Sequence, residues 1–193
     1  MLQIQLKEFP VLATNRLILR QICEIDFVEF YWLRNSDVVM QYIQLPKFKE
    51  EEQAKQKIRD LINICEKNEG YHWAITLRKD PTLIGWILLK DIDLTNHRAE
   101  IGYLLHPDFW RKGIVQEAIL AVIDFSLNIL HLHSLEAHVH PENIASFKLL
   151  EKVGFIKEAH FKENFYFEGN FLDTAVYSLL KSRFNSNKTH YAI

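Results

Sequence analysis

Between Arg98 and Lys152 the sequence reads as strand, basic turn, helix, strand, helix, and this stretch constrains the fold more than any other. Arg98 to Leu105 alternates with the period of a strand, in which Glu100, Gly102 and Leu104 share one face and Ala99, Ile101 and Tyr103 the other. Trp110 to Gly113 reads as a turn. Ile114, Ala118, Ile119, Val122, Phe125 and Ile129 then recur at helical spacing. Leu135 to Val139 returns to alternation, and Asn143 to Val153 to a helix that Gly154 stops. A strand feeding a glycine-containing turn that opens a helix leaves free backbone N–H groups at the positive end of the helix dipole. That is an anion site in outline.

The remaining segments supply a sheet and its cover. Arg16 to Gln21 is a strand, and Asp26 with Glu29 forms a capping-box pattern ahead of a helix. Ala54, Ile58, Leu61, Ile62 and Cys65 make an amphipathic helix of Glu50 to Lys67, with Gly70 as its left-handed stop. Tyr71–Leu77 and Leu83–Asp91 form a hairpin around Arg78–Thr82, and a second turn, Asp93–His97, brings in the strand bearing Glu100. Phe155–Phe167 and Phe171–Leu180 flank Glu168 to Asn170 as a final hairpin. The order predicts an α+β fold: a mixed, mostly antiparallel sheet of six to seven strands with helices on both faces. Residues 1–182 form one domain, and residues 183–193 read as a flexible polar tail.

Composition narrows the functional classes. A formal net charge of −2 over 193 residues gives no basic field for direct nucleic-acid binding. No run approaches the ~18 apolar residues of a membrane span, and the N-terminus lacks a leader pattern. Cys23 and Cys65 sit in apolar helical contexts, as buried thiols of a reducing compartment do, so the expected location is the cytoplasm.

Asn143 and Ser146, followed by Glu151, Lys152, Gly154 and Phe155, form the most specific motif in the chain. Together with the Glu100 strand and the Gly113 turn, it resembles the GNAT N-acetyltransferases over about Thr14 to Lys181, in particular the branch of ribosomal-protein N-terminal acetyltransferases. The resemblance implies strands splayed around an acetyl-CoA site and direct transfer, without a metal, to a primary amine, first among them a protein N-terminal α-amine. It casts Glu100 as the general base. An α-amine of pKa about 8 is largely protonated at neutral pH and must lose a proton before attacking a thioester. By the same resemblance Asn143 binds the pantetheine arm and Ser146 assists departure of the thiolate. Backbone N–H groups near Leu104 and Leu105 would meet the oxyanion, and Arg111, Lys112, Gly113, Ile114, Val115 and Gln116 would hold the pyrophosphate. A homodimer is compatible with it.

The turn departs from the family pattern, with Trp110 in a position of Arg or Gln, Arg111 in place of a Gly and Val115 in place of a small residue. Two alternatives stand beside this reading: a small-amine acceptor such as a polyamine or aminoglycoside and, suggested by Arg111 and Val115, a module that binds CoA or a protein partner without turnover. Glu100 also reads as a structural carboxylate paired with Arg98 or Lys90, and Tyr103 or Tyr177 as the acid in place of Ser146. His131, His133, His138 and His140 form two pairs at metal-ligand spacing without a supporting cysteine or acidic cluster. Trp32, Tyr42, Phe48, Phe165 and Tyr166 line the acceptor groove or belong to the core, the groove falling between Asp37 and Lys49 and in the last hairpin.

Overall fold

A computed structural model describes Leu2, Ile4 and residues 6–187. The strands are β1 (Leu12–Ala13), β2 (Leu17–Gln21), β3 (Tyr71–Leu77), β4 (Asp80–Asp93), β5 (Arg98–Leu105), β6 (Ser134–Val139), β7 (Ile156–Phe167) and β8 (Asn170–Leu180). The helices are α1 (Phe27–Asn35), α2 (Asp37–Met40), α3 (Glu51–Glu66), α4 (Ile114–Asp124), which ends in a π-helical turn, α5 (Ile144–Lys152) and α6 (Lys181–Asn187). The sheet order is β1-β2-β3-β4-β5-β6-β8-β7. Every pairing is antiparallel except β5 with β6. The sheet thus has eight strands where the periodicity predicts six to seven, the addition being the two-residue β1 on β2.

Strand alternation sends side chains into two cores. Tyr71, Trp73 and Ile75 of β3 and Ala99, Ile101 and Leu105 of β5 join Ala118, Ile119 and Val122 of α4 in the larger one. Ala74, Trp86 and Leu104 face the other way, against Phe30 of α1 and Ala54, Ile58 and Leu61 of α3. Helices therefore cover both faces.

The parallel pairing is short. Arg98, Ala99 and Glu100 register with Ser134, Leu135 and Glu136, and there the ladder stops. β4 continues to hold β5 as far as Leu105, and β8 holds β6 as far as Val139. Each strand is anchored on its outer side, so the two diverge and open a gap through the middle of the sheet.

Four local expectations change. Asp26 stands at the N-terminus of α1, but its carboxylate forks onto the Arg20 guanidinium at 2.6 and 2.8 Å and accepts the Cys23 N–H, so it does not cap the helix. Asn68, at φ 56°, takes the left-handed position after α3 that Gly70 was expected to take. The β3–β4 turn is confined to Arg78 and Lys79, with strand resuming at Asp80. Residues 183–187, expected in the polar tail, continue α6, anchored by Phe184 in the larger core, and 188–193 lie outside the described residues.

Candidate active site

Glu100 occupies the last paired position before the gap, with Lys90 opposite it on β4 and Glu136 on β6. It is only 8% exposed. Its Oε2 lies 2.9 Å from Lys90 Nζ and 3.5 Å from His138 Nδ1. Burial opposes the ammonium of Lys90, but the hydrogen bonds and charges of Glu100 and Asp91 together outweigh it and raise the lysine pKa. The ion pair considered from sequence is real, and the carboxylate also lines a cleft of about 1370 Å³.

That cleft brings together Glu100 and Leu104 of β5 with Asn143 and Ser146 of α5. Asn143 is the N-cap of α5, its side-chain oxygen accepting the Ser146 N–H at 3.1 Å, the capping expected of this residue type. The cap fixes Ser146 so that its Oγ sits 2.7 Å from the Tyr103 hydroxyl. Tyr103 and Glu100 project from opposite faces of β5, yet both reach the cleft because the sheet is open between β5 and β6. Burial pushes the Tyr103 phenol up to about 12, only partly offset by the bond with Ser146, so it keeps its proton at neutral pH. Tyr177 is 3% exposed and stacked on Phe147 in the larger core, away from the cleft.

The basic turn stands apart from the cleft, at the start of α4. Gly113 is the N-cap at φ 71°, where a side chain would be strained. Its carbonyl accepts the Glu117 N–H at 3.1 Å, leaving the N–H groups of Ile114, Val115 and Gln116 at the positive helix end. Arg111 and Lys112 are exposed, and Arg111 also takes a left-handed φ of 58°. Arg16 straps the turn from β2's leading edge, donating to the Lys112 and Gly113 carbonyls and pairing with Glu117 at 2.6 Å. Burial would raise the Glu117 pKa, but bonds from Thr14 and Arg16 hold it below the usual range. Val115 packs partly against the larger core. Leu105 is buried in that same core, and its carbonyl accepts the Trp110 indole N–H at 2.7 Å.

The histidine pairs separate. His138 joins Glu100, His140 accepts the Glu142 N–H and lies beside Tyr42, and His131 occupies a left-handed position. Among the described residues no three His, Cys, Asp or Glu side chains are placed to hold a metal. Of the aromatics, Tyr42, Phe48 and Phe165 line the cleft, whereas Trp32 stacks on His106 and Tyr166 packs on Phe171. Sequence reasoning missed Arg34 and His72, which line the cleft although each is more than nine-tenths buried.

The model of the acetyltransferase (GNAT) domain matches residues 16–156. The chain belongs to the GNAT acetyltransferase family. An uncharacterized N-acetyltransferase of Bacillus subtilis, YoaA, is 37% identical over 91% of this chain and 99% of its own length. The spermidine N(1)-acetyltransferase of Vibrio cholerae is 26% identical over 88% and 96%. The crystal structure of a ribosomal-protein-S5-alanine acetyltransferase from Vibrio fischeri shares the fold, with a TM-score of 0.78 at 24% identity over 91% and 98% of the two chains. This GNAT domain is thus an acetyl-CoA-dependent N-acetyltransferase, which removes the non-catalytic alternative. No helix among the described residues is long and apolar enough to cross a membrane.

Proposed function

We propose that this enzyme acetylates the N-terminal α-amine of a protein or peptide by direct transfer, with Glu100 as general base. The observation that carries the reading is the buried Glu100 at the mouth of the β5–β6 gap, with the Ser146–Tyr103 hydroxyl pair inside the same cleft. Glu100 takes a proton from the ammonium, directly or through water, and the freed amine forms its bond to the thioester carbonyl carbon. N–H groups of the unpaired edge of β5 near Leu104 receive the oxyanion. As the C–S bond breaks, the hydroxyl pair passes a proton to the departing sulfur and is restored by the second proton that the attacking nitrogen gives up on becoming an amide. Ser146 stands nearest in this scheme and Tyr103 supports it.

The coenzyme's phosphates fit the start of α4. Gly113 presents no side chain, three helical N–H groups are free of intrahelical partners, and Arg111 and Lys112 add cations. Asn143, whose amide nitrogen is left over by its capping bond, is suited to the pantetheine arm.

Glu100→Gln is expected to lower turnover at pH 7 by roughly 10²–10⁴ with acetyl-CoA affinity preserved, the deficit shrinking at high pH where the amine is already neutral. Near-normal turnover at pH 7 would assign Glu100 to the Lys90 ion pair alone. Thiol release measured with N-terminal peptides, spermidine and an aminoglycoside side by side decides the acceptor class.

A further inference from the structure

Resting on the N-terminal acceptor reading, we infer that the acceptor is anionic: the groove is built for a peptide N-terminus that carries an acidic side chain within its first five residues. The carrying observation is Arg34, which is 5% exposed, lines the cleft and has no carboxylate partner among the described residues. Its Nη2 donates to the Pro46 carbonyl at 3.0 Å, the guanidinium lies 4.8 Å over the Phe48 ring, and its Nε is buried without any partner. A buried cation lacking a counter-charge is costly, and the natural way to offset that cost is an anion brought by the ligand. A second buried group points the same way. His72, 7% exposed, presents an unpartnered Nδ1 in the same cleft wall. Burial pushes it down to about 4, with Lys57 and Lys90 adding to the effect, as expected where the local potential is positive.

The balance of charge around the cleft disfavours the opposite class of acceptor. Its carboxylates are already engaged: Glu100 with Lys90 at 2.9 Å, Glu136 with Arg98 at 3.7 Å and Asp173 with His160 at 2.7 Å. Lys49 and Lys57, by contrast, line it with no carboxylate in ion-pair range among the described residues. A polyamine would set its further ammonium groups against these cations, whereas a carboxylate would complete them.

The run of β4 along the cleft gives the scale of the separation. Phe30, one helical turn from Arg34, packs on Trp86 at 4.8 Å between ring centroids, and Trp86 lies four residues along β4 from Lys90, the partner of Glu100. Four strand residues span about 13 Å, which an extended chain covers in about four residues, fewer when a Glu side chain reaches forward.

The test is a set of equal-length peptides with a common N-terminal residue and Glu, Gln or Lys in the following four positions, acetylated by the wild-type enzyme. The Glu peptides should exceed the Gln peptides in kcat/KM by about tenfold or more, through KM, and the gap should narrow as salt is raised. Arg34→Gln should bring the Glu-to-Gln ratio toward one. If that variant fails to fold, Lys57→Glu, at a half-buried position, should lower the ratio by about threefold. Equal rates across the charge series would overturn the inference while leaving peptide acetylation intact. Turnover of spermidine without any peptide would overturn the acceptor reading itself. Acetylation of small amines bearing a carboxylate, in preference to both their amides and the peptides, would uphold the charge selectivity and overturn the peptide source.

Discussion

Arg111 stands in the left-handed region at φ 58°, where a side chain with a Cβ costs roughly 1 kcal/mol, at a position the family pattern gives to glycine. On the proposed function, the cation placed at the start of α4 to meet the coenzyme's phosphates is the counterpart of that strain. Arg111→Gly should therefore separate the two, leaving stability equal or about 1 kcal/mol higher while weakening acetyl-CoA binding by about 1–3 kcal/mol, the scale of a charged hydrogen bond. Melting temperature and calorimetric titration of the same variant check both. Tyr103 offers a similar separation. Its hydroxyl contacts Ser146 and its pKa is pushed up to about 12, so the phenol remains a proton donor throughout the alkaline range. The rate should rise to a plateau with no descending limb below about pH 10 arising from this group. Tyr103→Phe should lower kcat by about 10–10² with little change in KM for acetyl-CoA, and an unaltered kcat would remove Tyr103 from the proton path. Ser146 and Asn143 were readable from their motif, and Gly113 from its place before a helix. Tyr103 was only one of two tyrosines, because the sequence does not say which phenol meets the serine.

At the scale of elements, the function depends on where the ends of β5 and α5 are held. Gly85 of β4 lies against β5 so closely that a Cβ would stand 2.4 Å from the Leu104 carbonyl oxygen and 2.9 Å from Leu105 Cα. Both are backbone atoms, so the strand itself would have to move. Gly85→Ala should cost on the order of 1–3 kcal/mol, as overpacking does, and should lower kcat because β5 forms one wall of the gap. The hairpin pattern in the sequence identified these strands but not this glycine, whose requirement comes from a neighbour twenty residues away in register. On the other wall, Asn143→Ala removes the α5 cap and should cost about 0.5–2 kcal/mol. If Asn143 also binds coenzyme, KM for acetyl-CoA rises in the folded fraction. An unchanged KM with a lower melting temperature would confine it to capping.

For the whole molecule, the cleft is walled partly by polar groups that stay buried, and His72 records the energetic consequence. Its pKa falls from 6.5 to about 4 in the folded state because burial penalises the charged ring. A depressed folded pKa means that the unfolded chain binds the extra proton first. The stability concerned is therefore intact above about pH 6.5 and is lost as pH falls toward 4, on the order of 3 kcal/mol in all. The fall in melting temperature between pH 7 and 4.5 should be smaller in His72→Met than in the wild type, and equal slopes would show that the ring is not excluded from water. The chain's own periodicities were enough to place most strands and helices from Arg16 to Leu180, though not α2, together with the α+β class, the glycine turn and the Glu100 face, since each depends on side chains a few residues apart. Only the tertiary structure decided that Lys90 meets Glu100, that β5 parts from β6 after one short ladder, and that Arg34 is enclosed without a counter-ion among the described residues. Those depend on register and packing between segments far apart in the chain, and the energies that settle them, ion pairing, burial and strand anchoring, act only once the segments have met.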